Sequence, residues 1–188
     1  MKSLWPAFVA ASSLLCATAQ AAPVIGFTGD FAPANWTSAV GTNGATPSAD
    51  ASFLSITSPR PDGFDSSWTD FSIVVGAAAK ISFDWSYVTS DLDNDPFYDP
   101  FGILSVNGFT PLSDDDGDAS QSGSYSVVVD AGEVFGFRAW AIDGDFGTAT
   151  TRVGNFRVDF IPEPTTLLLL AAALAAASAA KRRGTSRV

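Results

Sequence analysis

Alternation of apolar and polar side chains, the mark of a strand with one buried face, recurs through the middle of the chain. No long stretch there keeps a helical period. Between 80 and 87, Ile81, Phe83, Trp85 and Tyr87 share one phase, and Lys80, Ser82, Asp84 and Ser86 share the other. Phe71, Ile73 and Val75 line one phase of 71–75, and Phe156, Val158 and Phe160 alternate with Arg157 and Asp159. Stretches 101–106, 123–130 and 134–142 also read as strands, with 24–28 and 51–57 as weaker candidates. Turn-forming Gly, Asp, Asn and Ser recur about every ten residues. The pattern therefore predicts an all-β domain, an antiparallel jelly-roll-like β-sandwich of about eight strands, not a parallel sheet. Val127, Val128 and Val129 are apolar in both phases, which predicts a central strand or one covered by a loop. Residues 29–50, rich in Gly, Pro, Ala, Ser and Thr, read as a surface loop with room for a short edge strand.

The two ends break this pattern. Residues 1–21 open with Lys2, continue as an apolar run and close on small-x-small triplets such as Ala19-Gln20-Ala21. That is the layout of an export signal helix cut by signal peptidase. At the other end, Pro162-Glu163-Pro164 is followed by an apolar run over 167–180 and then Lys181-Arg182-Arg183. Fourteen helical residues span about 21 Å, short of the roughly 30 Å hydrocarbon core. The order is polar signature, short hydrophobic helix and basic stop. The domain division is 1–21 signal, 22–161 ectodomain and 162–188 sorting segment.

This tail resembles the PEP-CTERM sorting signal of Gram-negative bacteria, through Pro162, Glu163, Pro164, the run 167–180 and Lys181, Arg182 and Arg183. The resemblance implies recognition by an exosortase, processing near the Pro-Glu-Pro, and transient anchoring in the inner membrane through the C-terminal helix. It also implies delivery to the cell surface or extracellular matrix of a host that secretes polysaccharide. The blocks 30–36, 83–102 and 135–138 resemble a recurrent domain of uncharacterised PEP-CTERM proteins, a resemblance that brings no catalytic residue and no ligand.

Composition narrows the chemistry. The chain has no His, and its one Cys is Cys16 inside the export signal. A Ser-His-Asp triad, a His metal site and a thiol nucleophile are therefore excluded from the mature domain. Residues 22–164 hold 14 Phe and 12 Val against four Leu, as pleated surfaces favour. They also hold all 20 acids against five cations, a formal net of −15, which repels nucleic acid.

Eighteen of those acids are Asp, concentrated between strands. The three stretches hold Asp91, Asp93, Asp95 and Asp99, then Asp114, Asp115, Asp116 and Asp118, then Asp143 and Asp145. Short carboxylates on a turning backbone suit calcium. An EF-hand does not fit: counted from Asp91, position six is Pro96 and position twelve is Gly102. The candidate calcium ligands are Asp91, Asp93, Asp95, Asp99, Asp114, Asp116, Asp118, Asp143 and Asp145, and the competing reading is solvated turns. Trp36, Trp68, Tyr98 and Trp140 are candidates for stacking on a sugar, with core packing as the competing reading. Paired Asp residues leave a hydrolase open, without a fixed separation to support it. The leading expectation is a non-enzymatic structural or adhesive component of the exopolysaccharide layer. The alternatives are a carbohydrate-binding module assisted by calcium, and a hydrolase using Asp.

Overall fold

The computed structural model describes residues 21–91, 94–144, 147–162 and 172–173. The predicted signal helix lies outside them, as does the C-terminal helix apart from Ala172 and Ala173, which are helical. Among the described residues no helix is long and apolar enough to cross a membrane.

The strands are β1 (Val24–Ile25), β2 (Thr37–Val40), β3 (Ser48–Ala49), β4 (Phe53–Thr57), β5 (Ser67–Val74), β6 (Ala79–Thr89), β7 (Phe101–Ser105), β8 (Gly108–Pro111), β9 (Ser120–Val129), β10 (Val134–Ala141) and β11 (Ala149–Phe160). They form two antiparallel sheets. The first runs β3-β4-β11-β6-β9, with β1 added beside β11, and the second runs β2-β5-β10-β7-β8. Setting aside the short strands β1, β2 and β3, the orders β4-β11-β6-β9 and β5-β10-β7-β8 make an eight-stranded jelly roll. The additional strands come from segments that the sequence pattern leaves as loop. Residues 29–50 supply β2 and β3, and β8 is a four-residue piece without alternation of its own.

The predicted inward phase of 80–87 is the observed one: Ile81, Phe83, Trp85 and Tyr87 are buried, and Lys80, Asp84 and Ser86 are exposed. Between the sheets the core is mainly aromatic. Phe27, Phe31, Phe71, Phe83, Phe101, Phe135, Phe137 and Phe156 all lie in it. Trp36 joins them, which removes it from the candidate ligand-binding residues. The 3-10 turns Gly29–Phe31 and Pro33–Asn35 swing its indole inward. There it stacks on Phe71 at 4.8 Å and donates Nε1–H to the Phe31 carbonyl at 3.0 Å.

The Val127–Val129 expectation fails in an informative way. β9 is neither central nor covered by a described loop: it forms one edge of the first sheet, and Val128 is 59% exposed.

Candidate functional site

Two regions of the sandwich gather the candidate residues. The first is the outer face of the second sheet. Along β5, Thr69 and Phe71 point inward, so the alternation carries Trp68 and Asp70 to the outer phase. β10 runs antiparallel beside it, with Trp140 directly opposite Trp68 and Arg138 directly opposite Asp70. Arg138 Nε and Nη2 donate to the two Asp70 carboxylate oxygens at 2.7 and 2.8 Å. The same guanidinium lies 4.8 Å from the Trp68 ring centre. Trp140 donates Nε1–H to Ser66 Oγ at 2.7 Å and meets Phe109 of β8 edge-on at 5.7 Å. The Phe109 ring reaches across Gly102, where a Cβ would come within 2.8 Å of it. The result is an outward row of two indoles braced by Phe109 and a fork-to-fork ion pair. Trp68 is 44% exposed, and Trp140 is half-buried.

Trp140 was legible as a candidate from the outward phase of the predicted strand 134–142, whereas Trp68 lay outside the predicted strand 71–75 and joins β5 only in the structure. Arg138, Asp70 and Phe109 were not legible. Arg138 and Asp70 are 68 residues apart, and only the β5–β10 register joins them.

Tyr98 falls elsewhere. It sits in the 3-10 turn Pro96–Tyr98, edge-on to Phe97, and its carbonyl accepts the Ile142 N–H.

The second region is one end of the sandwich, where the acidic stretches meet. The link between β10 and β11 is tied to the link between β6 and β7 by Ser90 N–H to Thr148 O at 2.9 Å and Ile142 N–H to Tyr98 O at 2.8 Å. Asp91, Asp99 and Asp143 are buried there. Asp99 is 2% exposed and accepts Ser58 Oγ–H at 2.6 Å, and Ser58 Oγ in turn accepts the Ala149 N–H. Burial pushes the Asp99 pKa up to about 6; the Ser58 bond opposes the rise, and the charges of Asp91 and Asp143 add to it. Tyr87 stands close by. Burial and then the Asp99 charge raise its pKa, and a hydrogen bond with Thr89 opposes the rise.

The remaining acids of this end have local duties. Asp95 caps the Pro96–Tyr98 turn by accepting the Phe97 N–H. Gln121, at the start of β9, holds the 114–118 turn by accepting the Asp114 N–H and donating to the Asp114 and Asp118 carbonyls. Asp114, Asp116 and Asp118 are exposed. Burial, then the neighbouring Asp114 and Asp116 charges, then Asp95, raise the Asp115 pKa, so the first and second stretches share one electrostatic neighbourhood. Asp93 and Asp145 lie outside the described residues, as do Glu163, Pro164, Lys181, Arg182 and Arg183. Pro162 is exposed. Among the described residues no group of three or more His, Cys, Asp or Glu side chains is placed to hold a metal ion as it stands.

Comparison with known proteins adds the following. Residues 160–183 match the PEP-CTERM protein-sorting motif. No curated protein matches the chain. Among solved structures, the K1 cleaved adhesin domain of Lys-gingipain from Porphyromonas gingivalis is 12% identical with a TM-score of 0.42, covering 69% of this chain and 92% of that one. The family 11 carbohydrate-binding module of the cellulosomal cellulase Lic26A-Cel5E of Clostridium thermocellum is 13% identical with a TM-score of 0.35, covering 69% and 90%. A family 35 carbohydrate-binding module from Clostridium thermocellum is 14% identical with a TM-score of 0.34, covering 73% and 98%. Scores this low place the chain in none of those families.

Proposed function

We propose that this chain, which carries the PEP-CTERM sorting motif at residues 160–183, is delivered to the cell surface or extracellular matrix as a non-catalytic adhesive module that holds polysaccharide. The motif supports export and recognition by an exosortase. The sugar reading rests on one observation: Trp68 and Trp140 are direct cross-strand partners on an outward sheet face, beside the Arg138–Asp70 pair. Flat indoles take the C–H face of a pyranose. The carboxylate and guanidinium beside them can accept from and donate to its hydroxyls. A hydrolytic reading draws little support, because Asp99, whose pKa resembles that of a general acid, is sealed from solvent.

Binding of the exported protein to the polysaccharide of its own producing cells tests this. Trp68→Ala and Trp140→Ala should each weaken retention at least tenfold, equivalent to about 1.4 kcal/mol. Wild-type protein that ignores that polysaccharide and a broad glycan array would end the sugar reading, while export would stand.

A second reading adds calcium at the acidic end. It is favoured by the burial of Asp91, Asp99 and Asp143 at one end of the sandwich, where the charges of Asp91 and Asp143 act on Asp99. A divalent cation would offset the mutual repulsion of the three carboxylates by drawing them together. Millimolar calcium at pH 7 should then raise the melting temperature, and Asp99→Asn should remove the response. An unchanged melting temperature sinks calcium without touching the Trp68–Trp140 proposal.

A further inference from the structure

The five cations of the exported domain are Arg60, Lys80, Arg138, Arg152 and Arg157. Three of them lie on the far side of the sandwich from the exposed indoles. Lys80, Arg152 and Arg157 occupy the outer phase of β6 and β11, in the first sheet. There Arg157 forks to Asp159, and Arg152 covers the Phe53 ring at 3.8 Å. Arg60 donates Nε–H to the Gly144 carbonyl at 3.3 Å, in a cleft that also holds Asp62. Only Arg138 reaches the Trp68–Trp140 row, and Asp70 takes up its charge through bonds of 2.7 and 2.8 Å. Such a fork leaves polar groups but little net charge. The free N–H groups of Arg138 can still donate, and the remaining lone pairs of Asp70 can still accept.

The surroundings of the row are neutral or acidic. Beside Trp68, toward β2, lies a cleft of about 210 Å³ lined by Gly41, Thr42, Ser66 and Ser67. None of its lining residues is ionisable. Ser66 is exposed and accepts the Trp140 indole N–H, which leaves its own O–H to donate. The link into β5 adds Asp62 and Asp65, both exposed. Around this face the domain carries its net of −15.

We propose that the face selects uncharged polysaccharide. A chain of neutral sugars stacks along Trp68 and Trp140 and continues into the Gly41–Ser67 cleft, while uronate, sulfate or phosphate substituents keep a chain out. The inference rests on the sugar reading and adds the class of sugar. An anionic substituent brought to the row meets no free cation and gives up hydration against the field of the domain. A neutral hydroxyl meets donors and acceptors that carry no net charge, beside flat rings that take its C–H faces. A cationic chain gains most at the exposed Asp114, Asp116 and Asp118, whereas Asp70 beside the indoles is already matched by Arg138. Binding without a charge contact is also insensitive to salt.

A glycan array tests this with the exported protein. It carries neutral oligosaccharides beside their uronate, sulfated and phosphorylated counterparts, and is read at about 20 mM and about 500 mM NaCl. At the lower salt, neutral chains should be held at least tenfold more tightly than their charged counterparts. Their own binding should change less than about twofold between the two salts. Trp68→Ala should remove it. Asp70→Asn frees the Arg138 charge and should narrow the gap between neutral and anionic chains at least threefold. Ala39→Lys, exposed on β2 directly opposite Asp70, adds a cation to the face and should do the same should the Asn variant not fold. Charged chains held as tightly as neutral ones, and lost with Trp68→Ala, would overturn the selectivity and leave the sugar reading standing. A preference for neutral chains that survives both Trp68→Ala and Trp140→Ala, or a gap unmoved by the charge variants, would also overturn it. Binding to no glycan, and none to the producing cells' polysaccharide, would end the sugar reading and this inference with it.

Discussion

At the scale of single residues, Asp99 carries the clearest electrostatic consequence of the fold. Its pKa stands at about 6, against an ordinary value of 3.8, chiefly because it is buried. An acid raised in this way is protonated more readily in the folded state than in the unfolded one. Stability should therefore fall as pH rises from about 4 to about 6, by about 3 kcal/mol for this group alone, and return on acidification. Asp99→Asn should remove this contribution and stabilise the protein at pH 7 in calcium-free buffer, since an amide oxygen can still accept from Ser58. Urea titrations across pH 4–7 would check both points, and a less stable Asn variant at pH 7 would contradict them. The tryptophans divide by environment as well. Trp36→Ala empties a stacked core position and should cost about 3–5 kcal/mol, whereas Trp68→Ala removes a half-exposed ring and should cost about 1 kcal/mol.

At the scale of elements, β11 shows how one residue sets a strand's facing. Thr151 and Val153 point inward, and so do Phe156 and Val158, so the inward phase changes from odd to even positions. The change falls where the β11–β6 register shifts between Gly154 and Arg157, with Asn155 in the left-handed region at φ 49°. Asn155 also donates to Asp84, which helps hold that carboxyl below its usual pKa. Deleting Asn155 would turn Phe156 and Val158 to solvent and should leave no folded product in a solubility and circular-dichroism assay. Asn155→Val, which resists that backbone, should cost about 1–3 kcal/mol by urea titration, and Asn155→Gly should cost less. The alternation of 156–160 was visible in the sequence; that it belongs to one twelve-residue strand with a phase change was not, because a bulge removes the period that joins the halves.

At the scale of the molecule, the domain has two unlike ends. The acidic links lie at the end where β11 begins, and β11 then carries the chain to the other end, where Ile161 N–H donates to Ala78 O before Pro162. The ordered ladder thus stops one residue short of the Pro-Glu-Pro signature. Cleavage near Pro164 should leave all eleven strands intact. Mass spectrometry of the surface protein should find a C-terminus near Pro164, and the processed domain should melt at the temperature of the unprocessed one. An intact Val188 on the surface protein would contradict the processing step.

The sequence by itself determined the all-β class, the inward faces of the alternating strands, the sorting tail, and the lack of His and thiol chemistry. Those features are local: a period of two, a composition or a contiguous motif is enough to establish them. Tertiary structure alone decided which residues meet. Register placed Trp68 beside Trp140 and Arg138 on Asp70, and crossing links buried Asp91, Asp99 and Asp143 together. Sheet order left β9, the strand with the most apolar run, at an edge. Partners brought together across tens of residues leave no trace in local periodicity, because strand pairing is settled by the global competition for backbone hydrogen bonds and buried area.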